Sequence, residues 1–175
     1  MTGRPAIEFI ENEAHYARVV EEGILGARRS LAIATANLKN LHVIRGKRKA
    51  RSIVDLFAEL ADRGVKIRVL HGARPSGPFA ESLAAHPSLE RNERFEMLFC
   101  PRTHFKMVLV DDALLYAGSA NLTGAGLGAK SPARRNFEAG FLTADPGVIA
   151  PWRDLFERVW SGEYCEDCGR REHCE

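Results

Sequence analysis

Apolar side chains recur every three or four residues in three stretches of the chain, a spacing that predicts amphipathic helices. These stretches cover residues 16–27, 53–60 and 148–159, and a shorter helix is predicted at residues 78–85. Gly64 follows the second stretch and is predicted to end that helix, because glycine readily adopts the left-handed conformation that closes many helices. The chain is thus predicted to carry helices in both halves.

Shorter apolar runs, rich in β-branched and aromatic residues, predict strands between and after these helices. Helices and strands alternate in the first half, whereas strands cluster in the second. This order predicts an α/β protein with a mixed β-sheet covered by helices on both faces. The predicted strands are residues 31–36, 65–70, 95–99, 105–110, 114–117 and 137–142.

Length and composition are consistent with one domain. A chain of 175 residues with 45% hydrophobic residues can bury one core. We expect that domain to span residues 1–160, with a cysteine-rich tail at 161–175. No apolar run reaches the roughly 20 residues that span a bilayer, and the first residues lack a signal-peptide apolar region. We therefore expect a cytoplasmic protein without a transmembrane segment.

The formal net charge of +2 is nearly neutral, so a site for a polyanion must come from local clustering of basic residues. The segment 39–51 holds six basic residues among thirteen and no acid. It is predicted to be a loop at one end of the sheet, where it either contacts phosphates or is simply solvated. Lys130 belongs to a second basic group that could line the same cleft. The candidate phosphate-binding residues are Lys39, Arg45, Lys47, Arg48, Lys49 and Lys130.

A His-x-Lys-x4-Asp motif is formed by His104, Lys106 and Asp111. The alternation of apolar residues around it predicts a strand that places His104 and Lys106 on one face. A neutral imidazole is a suitable nucleophile for an anionic phosphodiester, and the lysine can stabilise charge on the phosphoryl oxygens. Gly118-Ser119-Ala-Asn121 follows, and its hydroxyl and amide can add hydrogen bonds. The later glycines 124, 126 and 128 suit a tight loop whose N–H groups could approach a phosphate.

These two motifs resemble those of the phospholipase D superfamily, and above all of its short members with one motif per chain. Those members are the bacterial metal-independent endonucleases and the mitochondrial cardiolipin hydrolase-like nucleases. The resemblance covers residues 16–160. It implies that His104 forms a phosphohistidine, with Lys106, Ser119 and Asn121 around the phosphate. It gives Asp111 a supporting part, and it implies that Glu138 accepts a hydrogen bond from the histidine ring.

A single motif cannot supply both the nucleophile and the general acid that this chemistry requires. The other histidines lie in no second His-x-Lys setting, so a homodimer with two His104 side chains in a shared cleft is expected. His71, at the end of a predicted strand, is either a turn residue or a cleft residue. The resemblance implies chemistry that needs no divalent metal. We expect a nuclease acting on DNA or RNA; the alternatives are a phospholipase D or cardiolipin hydrolase and a non-catalytic nucleic-acid-binding module.

The tail has a separate signal, because three of the four cysteines lie within ten residues. Cys165, Cys168 and Cys174 could complete a structural zinc site with either Cys100 or His173. Cys100 is favoured, since adjacent His173 and Cys174 would have to bend onto one ion. An iron–sulfur cluster is a less favoured alternative. Disulfides or free reduced thiols also remain open.

Overall fold

The computed structural model describes residues 7–44 and 49–174. The strands are β1 Glu8–Glu11, β2 Ser30–Thr35, β3 His42–Val43, β4 Arg51–Ser52, β5 Lys66–His71, β6 Phe95–Phe99, β7 Met107–Val110, β8 Leu114–Gly118 and β9 Ala139–Thr143. Within these two ranges, seven strands form one sheet in the order β1-β9-β8-β7-β2-β5-β6, and β3 and β4 form a separate two-stranded ribbon. Strands β2, β5 and β6 run parallel, and the other neighbours in the sheet pair antiparallel.

Helices cover both faces of the sheet, which confirms the predicted mixed α/β architecture. On one face, the N-terminal helical segment and α1 (Ile53–Asp62) pack on alternate residues of the central strands, such as Ile33 and Val69. On the other face, α4 (Pro146–Trp160) packs through Ile149 and Phe156. The helical elements are a π-helix Tyr16–Gly23, 3-10 turns Ile24–Gly26 and Arg171–His173, and the α-helices α1 Ile53–Asp62, α2 Gly77–Ala84, α3 Pro87–Glu90 and α4 Pro146–Trp160.

Local sequence explains where α1 begins and ends. The Ser52 hydroxyl accepts from the N–H of Val54, and the Asp55 carboxylate accepts from the N–H of Ser52, so two unpaired amides of the first turn are bonded. Gly64 has φ +94° after the last turn, as the sequence predicts for a helix end.

Two predicted strands begin later than the apolar pattern indicated, and some short elements were missed. β7 starts at Met107 instead of residue 105, and β9 starts at Ala139 instead of 137. β1 was missed because Ile10 is its only buried residue, and it forms through pairing with β9. The four-residue α3 and the β3–β4 ribbon are too short for a periodic signal.

The register brings several strand ends to one edge of the sheet. The carboxyl ends of β2 and β5 meet there, with Thr35 opposite His71. β7 runs antiparallel to β2, so its amino end reaches the same edge, and Gly118 at the end of β8 lies opposite Gly140. The His-x-Lys part of the first motif and the Gly-Ser-x-Asn motif are therefore brought together at this edge.

Candidate active site

Main-chain hydrogen bonds join the segments that carry the two motifs. The Gly118 N–H donates to the Lys106 carbonyl over 3.3 Å, and the Ser119 N–H donates to the Ala139 carbonyl over 3.0 Å. A Cβ atom on Gly118 would lie 2.6 Å from the Ala139 carbonyl oxygen, so glycine is required for this close approach. The His-x-Lys and Gly-Ser-x-Asn segments thus form one site.

His104 and Lys106 lie in a loop before β7, which corrects the prediction that both stand on a strand. The chain turns just before them, where the Thr103 N–H donates to the Cys100 carbonyl over 2.9 Å. The two side chains still meet. The Lys106 Nζ donates to the His104 carbonyl over 2.6 Å and lies 3.4 Å from the ring Nδ1. Across residues 7–44 and 49–174, Nε2 of His104 has no hydrogen bond, and the side chain is exposed.

Glu138 is bonded to Ser119 in this structure. The Ser119 hydroxyl donates a short hydrogen bond to Glu138 and accepts from the Ala139 N–H over 3.1 Å. The Asn136 amide donates to the same carboxylate over 3.0 Å. The hydrogen bond from the histidine ring that the resemblance implied is not found within the described part of the chain. Glu138 therefore orients Ser119 when no substrate is bound.

Asn121 links the second motif to the end of β2. Its Oδ1 accepts from the main-chain N–H groups of Ala36 and Asn37, both over 3.0 Å. Because the oxygen is bonded to the fold, its NH2 group is the part that can donate to a phosphate. In the following loop the Gly126 N–H donates to the Thr123 hydroxyl over 2.9 Å, so that amide serves the loop instead of a ligand.

Asp111 lies at the far end of β7 from His104, with φ +54°. Its carboxylate accepts from three consecutive main-chain N–H groups, those of Arg28, Arg29 and Ser30, at 2.7 to 3.2 Å. Partial burial raises the pKa of Asp111, but these hydrogen bonds outweigh it and hold the pKa below its usual value. The supporting part that the resemblance implied therefore has a structural counterpart, a clamp between β7 and β2.

Two predicted phosphate-binding residues flank the site. The main chain of Lys39 donates to the Leu122 carbonyl over 3.1 Å, next to Asn121. The exposed Lys130 side chain lies beside Gly124, and its Cε would be 3.5 Å from a Cβ atom placed on that glycine. Lys49 is exposed just before β4. The predicted residues Arg45, Lys47 and Arg48 lie outside the described residues.

Beneath Glu138 lies a buried group that the sequence analysis missed. Asn12 exchanges main-chain and side-chain hydrogen bonds with Glu138, and its carbonyl lies 2.9 Å from Nδ1 of the fully buried His15. His15 packs edge-on against Tyr116 at 5.3 Å. Burial lowers the pKa of His15 despite the opposing Asn12 carbonyl and the negative charge of Glu138. No local pattern marks His15, because Tyr116 and Glu138, which give its position meaning, lie a hundred or more residues away.

His71 ends β5 at the same edge but is buried, and its Nδ1 lies 2.9 Å from the Ala73 carbonyl. Burial lowers its pKa, helped by the nearby charge of Arg74. His71 is thus bonded within its own turn.

The four cysteines lie elsewhere, along one cavity of about 250 Å³ between the tail and the loop that precedes His104. His173 does not line this cavity. Within the described residues, no three His, Cys, Asp or Glu side chains are already arranged to hold a metal ion.

The fold and the paired motifs define a phospholipase D-like domain, and comparison with known proteins agrees. The family model described as "Cardiolipin synthase, PLD-like domain" matches residues 21–160, and the chain belongs to this family. This match is consistent with the short, single-motif branch of the phospholipase D superfamily that the sequence resembles. A search of curated proteins found no match.

Solved structures share this fold at low sequence identity. NucT from Helicobacter pylori has a TM-score of 0.64 at 15% identity, over 89% of this chain and 95% of that one. Nuc from Salmonella typhimurium, described as a phospholipase D family member, has a TM-score of 0.62 at 18% identity, over 90% of this chain and 95% of that one. TrmBL2, described as an archaeal chromatin protein with a novel mode of DNA binding, has a TM-score of 0.58 at 15% identity, over 92% of this chain and 54% of that one. No helix among the described residues is long and apolar enough to cross a membrane.

Proposed function

We propose that this protein is a metal-independent phosphodiesterase that cleaves DNA or RNA through a phosphohistidine, in an active site shared by two identical chains. The observation that carries the proposal is the exposed His104 ring with the Lys106 ammonium 3.4 Å away. Ser119, Asn121 and Glu138 stand at the same sheet edge. This set supplies a nucleophile, a cation and hydrogen-bond donors around one phosphate.

In the first step, His104 Nε2 attacks phosphorus, a P–N bond forms and the P–O bond to the leaving group breaks. The leaving oxygen takes a proton from the imidazolium of the second copy's His104. That second histidine, now neutral, accepts a proton from water as the water attacks phosphorus, and the P–N bond breaks. Attack through Nε2 requires the proton on Nδ1, so Lys106 must turn from the ring to the incoming phosphate.

The chemistry of the side chains favours a reaction without a divalent metal. Metal-assisted phosphoryl transfer uses several carboxylates to hold the ions. Here Glu138 is the one carboxylate among the five proposed catalytic side chains, since Asp111 is bonded at the far end of β7. Lys106 takes the role of neutralising charge on the phosphoryl oxygens.

An apolar surface beside Glu138 supports a dimer that joins two sites. Phe137 precedes Glu138 and is 95% exposed, and Phe9 on the edge strand β1 is 67% exposed. A shallow concavity continues from Phe9 across Gly118 to Phe141 and Trp152. Two-fold pairing of this face would bury these rings and bring each His104 towards its copy.

Nucleic acid is favoured over the alternatives by the basic rim. Lys39 and Lys130 flank the Asn121 loop, where they can contact successive phosphates of a strand. A phospholipid substrate is the second candidate, because the family description names cardiolipin synthase and the exposed Phe137 and Phe9 could face a lipid surface. A third candidate is a role in binding alone, since TrmBL2 shares the fold and is described as binding DNA. Such a role leaves the exposed His104–Lys106 pair unexplained.

Cleavage of labelled single-stranded DNA, duplex DNA and RNA in excess EDTA tests the proposal, with cardiolipin vesicles assayed in parallel. We expect nucleic-acid cutting that persists in EDTA and disappears in His104→Ala, while His42→Ala, an exposed histidine on the β3–β4 ribbon, retains it. Denaturation at alkaline pH during turnover should trap the cleaved strand on a His104 peptide, because the P–N bond of a phosphohistidine survives in alkali and is hydrolysed in acid. Lipid hydrolysis alone would move the function to phospholipids, and no activity on either substrate would leave a binding module.

Mixing of inactive and active chains tests the shared site. A ninefold excess of His104→Asn should reduce the activity per wild-type chain to about one tenth, because almost every wild-type chain then pairs with an inactive copy. Unchanged activity per wild-type chain after subunit exchange would contradict a site that needs both histidines.

A further inference from the structure

The C-terminal tail folds back against the loop that carries the nucleophile. The Arg170 guanidinium donates to the Pro101 carbonyl over 3.2 Å, and Arg74 donates to the His173 carbonyl over 3.4 Å. Arg74 itself stacks on Phe99 at the end of β6, with 4.5 Å to the ring centroid. These contacts hold the tail beside residues 99–101, three residues before His104.

The tail contacts bring the three tail cysteines to one cavity with Cys100, which is distant from them in sequence. Cys165, Cys168 and Cys174 come from the tail, and Cys100 comes from the end of β6. All four are free thiols. The same cavity is lined by Arg102, Thr103 and Phe105, the immediate neighbours of His104. The surroundings are otherwise apolar, with Leu155, Val159 and Tyr164 from α4 and the segment after it.

Consecutive turns fold the tail cysteines into a compact unit. The Cys168 N–H donates to the Cys165 carbonyl, which closes the Cys-x2-Cys turn, and the Arg171 N–H donates to the Cys168 carbonyl. The Cys174 N–H then donates to the Arg171 carbonyl. A Cys-x2-Cys turn with further cysteines nearby is the usual ligand pattern of structural zinc, which takes four ligands tetrahedrally with Zn–S near 2.3 Å.

The structure also separates the two candidates for the fourth ligand. Cys100 lines the cavity together with the tail cysteines, whereas His173 does not. The Nε2 of His173 lies 3.5 Å from the Glu172 carboxylate. Arg102 lines the same cavity, where its cation can offset the negative charge of a four-thiolate centre.

We propose that Cys100, Cys165, Cys168 and Cys174 bind one zinc ion, which fastens the tail to the His104 loop. The thiols line one cavity but do not yet converge on a point, so binding requires them to turn inwards as they lose their protons to solvent. The ion is structural, with all four positions taken by sulfur and none left for substrate. By holding Cys100, it fixes the loop from which His104 projects.

Metal content measured by mass spectrometry on protein purified without chelator tests the site. We expect one zinc per chain in the wild type and in His173→Ala, and loss of zinc in Cys168→Ser and Cys100→Ser. His173→Ala is the matched control, because it alters a potential ligand next to Cys174 that lies outside the cavity. Zinc lost in His173→Ala but kept in Cys100→Ser would overturn the ligand set.

Limited proteolysis gives a readout that does not depend on activity. Trypsin can cut after Arg170 and Arg171, and removal of zinc should raise the rate of these cuts about tenfold as the tail loosens. Restoring zinc should restore protection in the wild type and in His173→Ala but not in Cys168→Ser. Absence of metal, iron with visible charge-transfer absorption, or four thiols found oxidised as disulfides would each overturn the proposal.

Discussion

Replacing Asp111 separates a structural from a catalytic role for the last residue of the His-x-Lys-x4-Asp motif. The carboxylate accepts from the N–H groups of Arg28, Arg29 and Ser30 and so ties the end of β7 to the start of β2. His104 lies at the other end of that strand. We therefore expect Asp111→Ala to destabilise the protein while leaving the chemistry of the folded fraction close to that of the wild type.

The size of this effect follows from the exposure of the three amides. Arg28 and Arg29 are exposed, so water can replace much of what their N–H groups lose, whereas the Ser30 amide is partly buried. A hydrogen bond to a charged acceptor contributes about 1.5–3 kcal/mol, and we expect a loss of about 2 kcal/mol from the clamp. Alanine at φ +54° costs roughly a further 1–2 kcal/mol.

Asp112 provides a matched control, because it has nearly the same backbone conformation, φ +55°, and is exposed. Asp112→Ala carries the same backbone cost without the three-amide clamp. The difference in unfolding free energy between the two alanine variants therefore isolates the carboxylate. About 2 kcal/mol corresponds to a Tm difference of roughly 4–8 °C for a chain of this size.

Urea denaturation and thermal melts of both variants, followed by activity well below each Tm, decide between the roles. The pKa of Asp111 is depressed, so its contribution is complete above its usual value of 3.8 and is lost as the pH falls through the lower folded value. The gap between Asp111→Ala and Asp112→Ala should shrink in that acid range. Equal stabilities at neutral pH would refute the clamp, and a hundredfold loss of turnover in fully folded Asp111→Ala would refute the absence of a catalytic role.

Gly72→Ala should lower turnover at least about tenfold, because its Cβ would lie 2.3 Å from the Thr103 carbonyl oxygen and displace the His104 loop. The control is Gly26→Ala, whose added Cβ would meet no atom within 4 Å. Equal kcat values for the two variants would contradict this prediction. His15 is held neutral by burial, so folding stability should fall as the pH drops below 6.5, and His15→Asn should reduce that slope in urea titrations from pH 8 to 5. An unchanged slope would exclude this linkage. The Arg68 guanidinium donates two hydrogen bonds of 2.5 and 2.8 Å to the Glu157 carboxylate and stacks on the Phe156 ring. A lysine cannot make both contacts, so Arg68→Lys should lower the free energy of unfolding by about 1–2 kcal/mol. Arg153→Lys, at a partly exposed arginine on the same helix as Glu157, should change the stability little, and equal effects of the two variants in thermal melts would refute the argument.

The sequence alone was sufficient for the family, the fold class and most of the regular elements. Strand 95–99 was predicted with its observed bounds, and α1 and α4 were located through their apolar spacing. These predictions rest on local patterns of three to five residues, which survive because a buried face demands a fixed period. The motif residues were identified for a similar reason, since their chemistry depends on residue type and spacing along one segment.

Tertiary structure decided which of these residues meet. Asn121 is bonded to the amides of Ala36 and Asn37, and Glu138 to Ser119, through strand pairing between segments far apart in the chain. β7 starts only at Met107, and the loop that carries His104 packs closely on Gly72 through the Thr103 carbonyl, a contact between segments about thirty residues apart. His15 beneath Glu138 has no local signal at all.

The same division holds for the tail. The sequence identified three cysteines in a metal-binding pattern and left Cys100 and His173 as candidates for the fourth position. The sequence already favoured Cys100, and the fold places Cys100, but not His173, along the cavity that the tail cysteines line. The hydrogen bond from Arg170 to the Pro101 carbonyl helps to hold the tail there. Contact between residues more than sixty positions apart depends on chain topology and packing, which spacing along the sequence does not encode.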